Sequence, residues 1–194
     1  MSGRNSKKNQ NNLEKIKKEM NRKKQDAQLQ GTVYEMPKDE GNCLAKDRKI
    51  KMVVFRIGEE EYAFILSNVK EIIRTPAMAK VPGARVHIAG LCNLRGELLP
   101  VIDSRKLLGM TAKEYNENSR IIVVEVHGTK VGIISDQVSE VLSTEEINIK
   151  EPPEIIRGID GGVVNGILVL NNGKRIILIL DAEKIIKEEN LQVI

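Results

Sequence analysis

The sequence predicts a mostly β protein whose folded part is two small barrels made from a duplicated unit. Three observations carry this. Apolar runs such as 52–57, 121–126 and 176–180 are strand-sized and rich in Ile and Val, the β-branched residues that suit a pleated surface. Hydrophobic residues make up 41% of the chain but aromatics only 3%, so the core is expected to be aliphatic. Finally, 121–142 echoes 53–73 and 166–186 echoes 90–108, which gives the same order of elements twice. Two sheets of this size, each with one aliphatic face, close most simply into barrels packed on each other.

Residues 1–50 read as a basic, solvated tail before a folded part over 51–190. Leu13, Ile16 and Met20 share one helical face among Lys15, Lys17 and Lys18, too few apolar residues to hold a helix alone. The first folded unit opens with Met52–Ile57 and Glu61–Leu66 around Gly58-Glu59-Glu60, a hairpin by run length and turn residues. Ser67–Ile73 reads as a helical turn or two that ends before Pro76. The stretch GLCNLRGELLPVID, Gly90–Asp103, is a second hairpin reversing at Arg95-Gly96, where Gly96 supplies the positive φ. Pro100 lacks a backbone donor, which puts its strand at a sheet edge or a bulge. Asp103 then caps a short helix over 104–108, closed by Gly109.

Thr111–Ser119 is a polar connector, and from Arg120 the pattern repeats. Val69 aligns with Val138, Glu71 with Glu140 and Ile72 with Val141. Glu151–Gly162, with Pro152-Pro153 and three glycines, is a loop of undecided role. The last hairpin turns at Asn172-Gly173, and Asp181, the twin of Asp103, caps a helix expected over 181–189.

Charge argues against a nucleic-acid surface on the folded part. The chain carries 31 Lys+Arg and 27 Asp+Glu, and residues 1–51 hold 14 of the basic and 7 of the acidic ones. Residues 52–194 are therefore slightly acidic, so nucleic-acid or membrane-surface binding through the tail stands only as the alternative reading. Cys43 and Cys92 cannot make a zinc site by themselves, and Cys92 reads as a free buried thiol. His87 and His127 lack the spacing of a metal pair, and no phosphate-binding glycine loop or nucleophile elbow occurs. Neither a cofactor nor catalysis is expected. The N-terminus has no apolar leader and no run reaches the length of a membrane span, so a cytoplasmic protein without membrane insertion is expected. Arg95 stands out as a five-donor guanidinium held at the tip of an apolar hairpin, with Glu97 beside it as a local ion-pair candidate.

NLRGELLPVID, preceded by V-P-G…I-A-G and by EEEYAFILSNVKEII, resembles the CheW-like family of chemotaxis coupling proteins over about residues 52–188. The resemblance implies two intertwined five-stranded SH3-like barrels around a shared aliphatic core. It implies a non-catalytic adaptor that joins the cytoplasmic tip of a chemoreceptor to the regulatory domain of the histidine kinase CheA. Such a protein supports receptor arrays at the membrane. The family's receptor groove, carried over by motif, falls on Leu66, Val69, Glu71, Ile72, Arg95 and Val138. The basic tail and the turn NNGKR depart from what the family explains.

Overall fold

The computed structural model describes residues 48–153 and 162–187. Residues 1–47 of the expected tail, all of the 151–162 loop but its ends, and the last residues of the expected 181–189 helix lie outside the described residues, while Lys49 and Ile50 open the first strand. In order, the strands are β1 Lys49–Ile57, β2 Glu60–Ile65, β3 Val69–Arg74, β4 Ile88–Leu94, β5 Glu97–Asp103, β6 Arg120–Val126 and β7 Thr129–Ser135. They continue as β8 Gln137–Glu145, β9 Ile149–Lys150, β10 Val164–Leu170 and β11 Arg175–Leu180, with short helices α1 Ser104–Leu107 and α2 Ala182–Ile186.

Two sheets form, ordered β8-β1-β2-β11-β10-β9 and β3-β6-β7-β5-β4. Each closes on itself. In the first, the chain leaves edge strand β8 through a 3₁₀ turn, Glu146–Asn148, directly into the opposite edge β9. In the second, the chain beyond edge strand β3 returns to the other edge, where Ala79 and Leu91 exchange two backbone hydrogen bonds of 2.8 Å. The five strands of the second sheet match the first five of the first in order, with the Ala79–Leu91 bridge in the place of β9, and each sheet has a parallel contact, β2 with β11 and β5 with β7. The second barrel is contiguous, but the first combines β1 and β2 with β8 to β11, so the repeated unit is not the barrel.

Each barrel has its own interior. Met52, Val54, Ala63, Leu168, Ile177 and Ile179 fill the first. Cys92, Leu99, Val101, Ile121, Val123 and Ile134 fill the second. The alternate residues of β1, β2, β6 and β7 are buried as well, which explains their uninterrupted apolar runs. Those faces meet where β1 packs on β7 and α2 packs on β6 and β7. Composition implied an aliphatic core, but the shared layer also holds aromatic rings. Phe55 stacks on Phe64 and Tyr62 with ring centroids 5.3 and 6.2 Å away, and all three are buried.

Three local expectations change. Residues 66–68 form one 3₁₀ turn, and 69–74 are strand rather than helix. Val69, Ile72 and Ile73 are β-branched or edge-packed residues, and pairing to β6 outweighs the weak helical signal of the SNVKEII segment. Pro100 lies in β5, an inner strand, but the ladder to β7 covers only Val101–Asp103, so no donor is missed there. The last hairpin turns over four residues between Leu170 and Arg175, with Asn171, Asn172 and Gly173 all at positive φ.

Both expected caps form. Asp103 accepts from the backbone N–H of Arg105 (3.0 Å) and Lys106 (3.4 Å), and Asp181 from Glu183 (3.0 Å) and Lys184 (3.1 Å). Asp103 differs in also accepting from the Tyr115 hydroxyl at 2.9 Å, which ties the 111–119 connector to the barrel. Burial and the Asp103 charge push the Tyr115 hydroxyl well above its usual pKa, so it stays a donor at any physiological pH. Asp103→Ala should therefore cost about 2 kcal/mol in a urea melt, and Tyr115→Phe about 1 kcal/mol. Equal small losses for both would mean that Asp103 acts only as the tyrosine's acceptor.

Candidate functional site

Cross-strand partners in an antiparallel pair point to the same face, so register alone shows where the edge strands aim their side chains. On β3, Val69 pairs with Val124 and Ile72 with Ile122, whose side chains belong to the layer between the barrels. A bulge at Lys70 puts Glu71 opposite Val123, on the barrel-interior face. On β8, Val138 pairs with Phe55 and Val141 with Val53, again residues of the inter-barrel layer. Leu66 is half-buried in the 3₁₀ turn that touches β1 and β6, one strand from each barrel. Four of the six expected site residues, Leu66, Val69, Ile72 and Val138, thus lie along the seam between barrels. Val69 and Ile72 lie at one free edge of it, and Val138 lies at the other.

The seam's margins stay apolar and open. Ile72 is 40% exposed, and Val141 is 58% exposed at a sheet edge. Val141 was not among the expected site residues. The repeat that matches Ile72 with Val141 held the signal, because equivalent strands present equivalent faces.

The other two expected residues meet each other. Arg95 and Gly96 form the two-residue turn between Leu94 and Glu97, at φ 54° and 92°. Gly96 N–H donates to Asn93 Oδ1 at 2.8 Å, which steadies the tip. A positive φ suits Gly96 but strains Arg95 by roughly 1–2 kcal/mol. From this tip Arg95 Nη2 donates to Glu71 Oε2 at 2.8 Å, so the β4–β5 hairpin is latched to edge strand β3. The arginine side chain is still 79% exposed, with most of its donors unused. Glu97 pairs across the barrel with Lys130 at 2.7 Å, not with its neighbour Arg95, and Lys70 pairs with Glu125 at 3.5 Å. The carboxyl of Glu97 is held below its usual pKa by the Lys130 hydrogen bond, and the ammonium of Lys130 above its own by Glu97.

The other barrel carries an echo of the latch. Arg175, on the equivalent hairpin, donates through Nε and Nη2 to Glu61 at 2.6 and 3.1 Å and through Nη2 to Glu140 at 2.6 Å. Glu140 is the residue the repeat aligns with Glu71. Here the guanidinium is only 27% exposed and is consumed by two carboxylates. Those two carboxylates hold its pKa above the ordinary arginine value.

Cys92 is a free thiol inside the second barrel, and burial pushes its pKa up. His127 sits in the β6–β7 turn at φ 50°, and the His87 carbonyl accepts from the Asp103 backbone at 2.8 Å. Among the described residues no group of three or more His, Cys, Asp or Glu is placed to hold a metal ion. Among them, too, no helix is long and apolar enough to cross a membrane. What the seam offers is a surface of apolar side chains on two strand edges; the exposed Arg95 guanidinium is held separately, by Glu71 on the other face of β3.

Similar proteins are found by sequence and by structure. The family described as "CheW-like domain" matches residues 51–190. The chemotaxis protein CheW of Bacillus subtilis is 33% identical over 142 residues, covering 73% of this chain and 90% of its own length. The chemotaxis protein CheW of Thermotoga maritima is 32% identical over 142 residues, with the same shares. Among solved structures, the scaffolding protein TtCheW from Thermoanaerobacter tengcongensis is 36% identical with a TM-score of 0.64, over 69% of this chain and 90% of that one.

Proposed function

The chain belongs to the CheW-like domain family, and on that premise we propose that it is a non-catalytic chemotaxis adaptor joining a chemoreceptor's cytoplasmic tip to the regulatory domain of CheA. Its place is then the cytoplasmic side of a receptor array. The seam between the barrels takes the receptor tip as an amphipathic helix, with Leu66, Val69, Ile72 and Val138 as apolar anchors. Glu71 holds Arg95 at the rim, where the guanidinium reaches a carboxylate on the receptor.

The observation that carries this is Arg95 itself. An exposed residue at φ 54° with one hydrogen bond adds little stability, since a surface ion pair contributes about 0–1 kcal/mol and the backbone conformation opposes it. Glycine or asparagine suits such a turn better. A strained arginine at that tip is explained by something outside the chain.

Arg95→Gly should therefore leave the melting temperature unchanged or slightly raised. Its affinity for a receptor-tip fragment should fall roughly tenfold or more, because a charge-assisted contact at an interface is lost. Arg95→Lys should rescue only part, since the two-pronged donor geometry is gone. Calorimetric titration of all three proteins, beside their thermal melts, reads both effects. Unchanged affinity in Arg95→Gly would make Arg95 a turn residue only.

A further inference from the structure

Four hairpins, β1–β2, β4–β5, β6–β7 and β10–β11, supply most of both barrels, and backbone geometry alone would let two of them trade places. The β4–β5 hairpin lies against β7 through β5, and the β10–β11 hairpin lies against β2 through β11. Both contacts are parallel and share one register. Val101 stands opposite Gly132 as Ile179 stands opposite Ala63, and the repeat equates each residue with its counterpart. Interior packing discriminates little. Leu99 and Val101 line the second barrel where Ile177 and Ile179 line the first, a difference of about one methylene in all.

Chain entropy favours the wrong choice. Glu61 and Arg175 are 114 residues apart, whereas pairing β2 with β5, or β7 with β11, would join strands of one repeat and close much shorter loops. The hairpins are reached through 75–87 and 151–163, segments with an extended span of about 40 Å, enough to deliver either hairpin to either barrel.

The charges at the barrel mouths oppose that exchange. Glu61 on β2 accepts from Arg175 Nε and Nη2 at 2.6 and 3.1 Å. The equivalent residues of the other barrel are Lys130 on β7 and Glu97 on β5, which pair at 2.7 Å with both signs reversed. Exchanging the hairpins would set Glu97 against Glu61 and Arg175 against Lys130, like charges in both places. The edge strands are a contrast. Strands β3 and β8 enter their sheets through short crossings, the 3₁₀ turn Leu66–Asn68 and the single residue Asp136, and their equivalent residues Glu71 and Glu140 carry the same sign. The sign thus reverses where connectivity leaves a choice and is kept where it leaves none. We propose that the sign-reversed pairs Glu61–Arg175 and Lys130–Glu97 sort the two hairpins into their barrels as the chain folds. One partly exposed pair adds little to stability, but exchange converts two attractions into two repulsions, which is how charges discriminate between otherwise equal pairings.

The test reverses the signs on the two hairpins of the intact chain, Glu97→Arg with Arg175→Glu, and then restores complementarity by adding Glu61→Lys and Lys130→Glu. Each protein is refolded from urea, and nuclear Overhauser contacts between backbone protons identify the adjoining strands. The wild type should show contacts of Ala63 with Ile179 and of Gly132 with Val101 only. The twofold variant should lose this single set: it gains contacts of Ala63 with Val101 and of Gly132 with Ile179, or it fails to fold. The fourfold variant should return to the wild-type set. Native contacts alone in the twofold variant overturn the inference, because the pairs then follow the fold without directing it. A fourfold variant that does not recover the native contacts overturns it too, since sign is then not what these positions contribute. Receptor-tip binding by the wild type tests the adaptor reading separately.

Discussion

Phe55→Ala should destabilise the protein by about 3–5 kcal/mol, the range for truncating a large aromatic in a packed core. Phe55 is fully buried in β1 and stacked on Phe64 and Tyr62, in the layer that both barrels share. Neither barrel can collapse into the vacated space alone, because each also has a separate interior that is already filled. For a chain of this size the loss lowers the melting temperature by on the order of 10 °C. Both barrels should lose stability together, so denaturation followed by tyrosine fluorescence and by far-ultraviolet circular dichroism should give one midpoint. Two separated midpoints would show that the barrels unfold independently and that the layer between them holds less than its burial suggests.

Val138→Asp should do the reverse, with a small cost in stability and a large one in binding. Val138 lies directly across β1 from Phe55 but on a free sheet edge, half-buried, where a carboxylate can turn to solvent. In a docked complex that escape is closed. The charge is then desolvated against apolar partner side chains and next to Glu140, which already faces its own arginine. A loss of a hundredfold or more in receptor-tip affinity is expected, about 3 kcal/mol, while the kinase regulatory domain binds as before. The titration is run with each partner separately and the melt is recorded alongside. Loss of both partners with a large fall in melting temperature would assign Val138 to the core.

The neighbours Phe55 and Val138 also show what the sequence could reveal. Phe55 stands in the apolar run MVVFRI, while Val138 stands between the polar residues Gln137 and Ser139. Pairing gives the physical reason for the difference, since β1 is flanked on both sides and β8 on one. Local chemistry was legible where a single residue decides it: Gly96 in its turn, and Asp103 and Asp181 at their caps. The duplication was legible too, but not the way the halves exchange strands. That exchange depends on two parallel contacts, β2 with β11 and β5 with β7, between residues far apart in the chain. Ser67–Ile73 misled because a capping residue and a V-x-E-I spacing suit a helical turn as well as an edge strand. The motif resemblance, not periodicity, supplied the site residues. Val141 was within reach of the repeat alone, and it is the margin residue that the resemblance left out.

An adaptor must hold both partners at once, and sedimentation of a three-component mixture tests that directly. The receptor-tip fragment is added to a preformed complex of this chain with the CheA regulatory domain. The account predicts one faster species whose mass is the sum of all three, because the seam lined by Val69, Ile72, Val138 and Val141 leaves the outer strands of both barrels free for the kinase. Release of the regulatory domain as the tip binds would contradict it, since the two partners would then compete for one surface and the chain could not couple them.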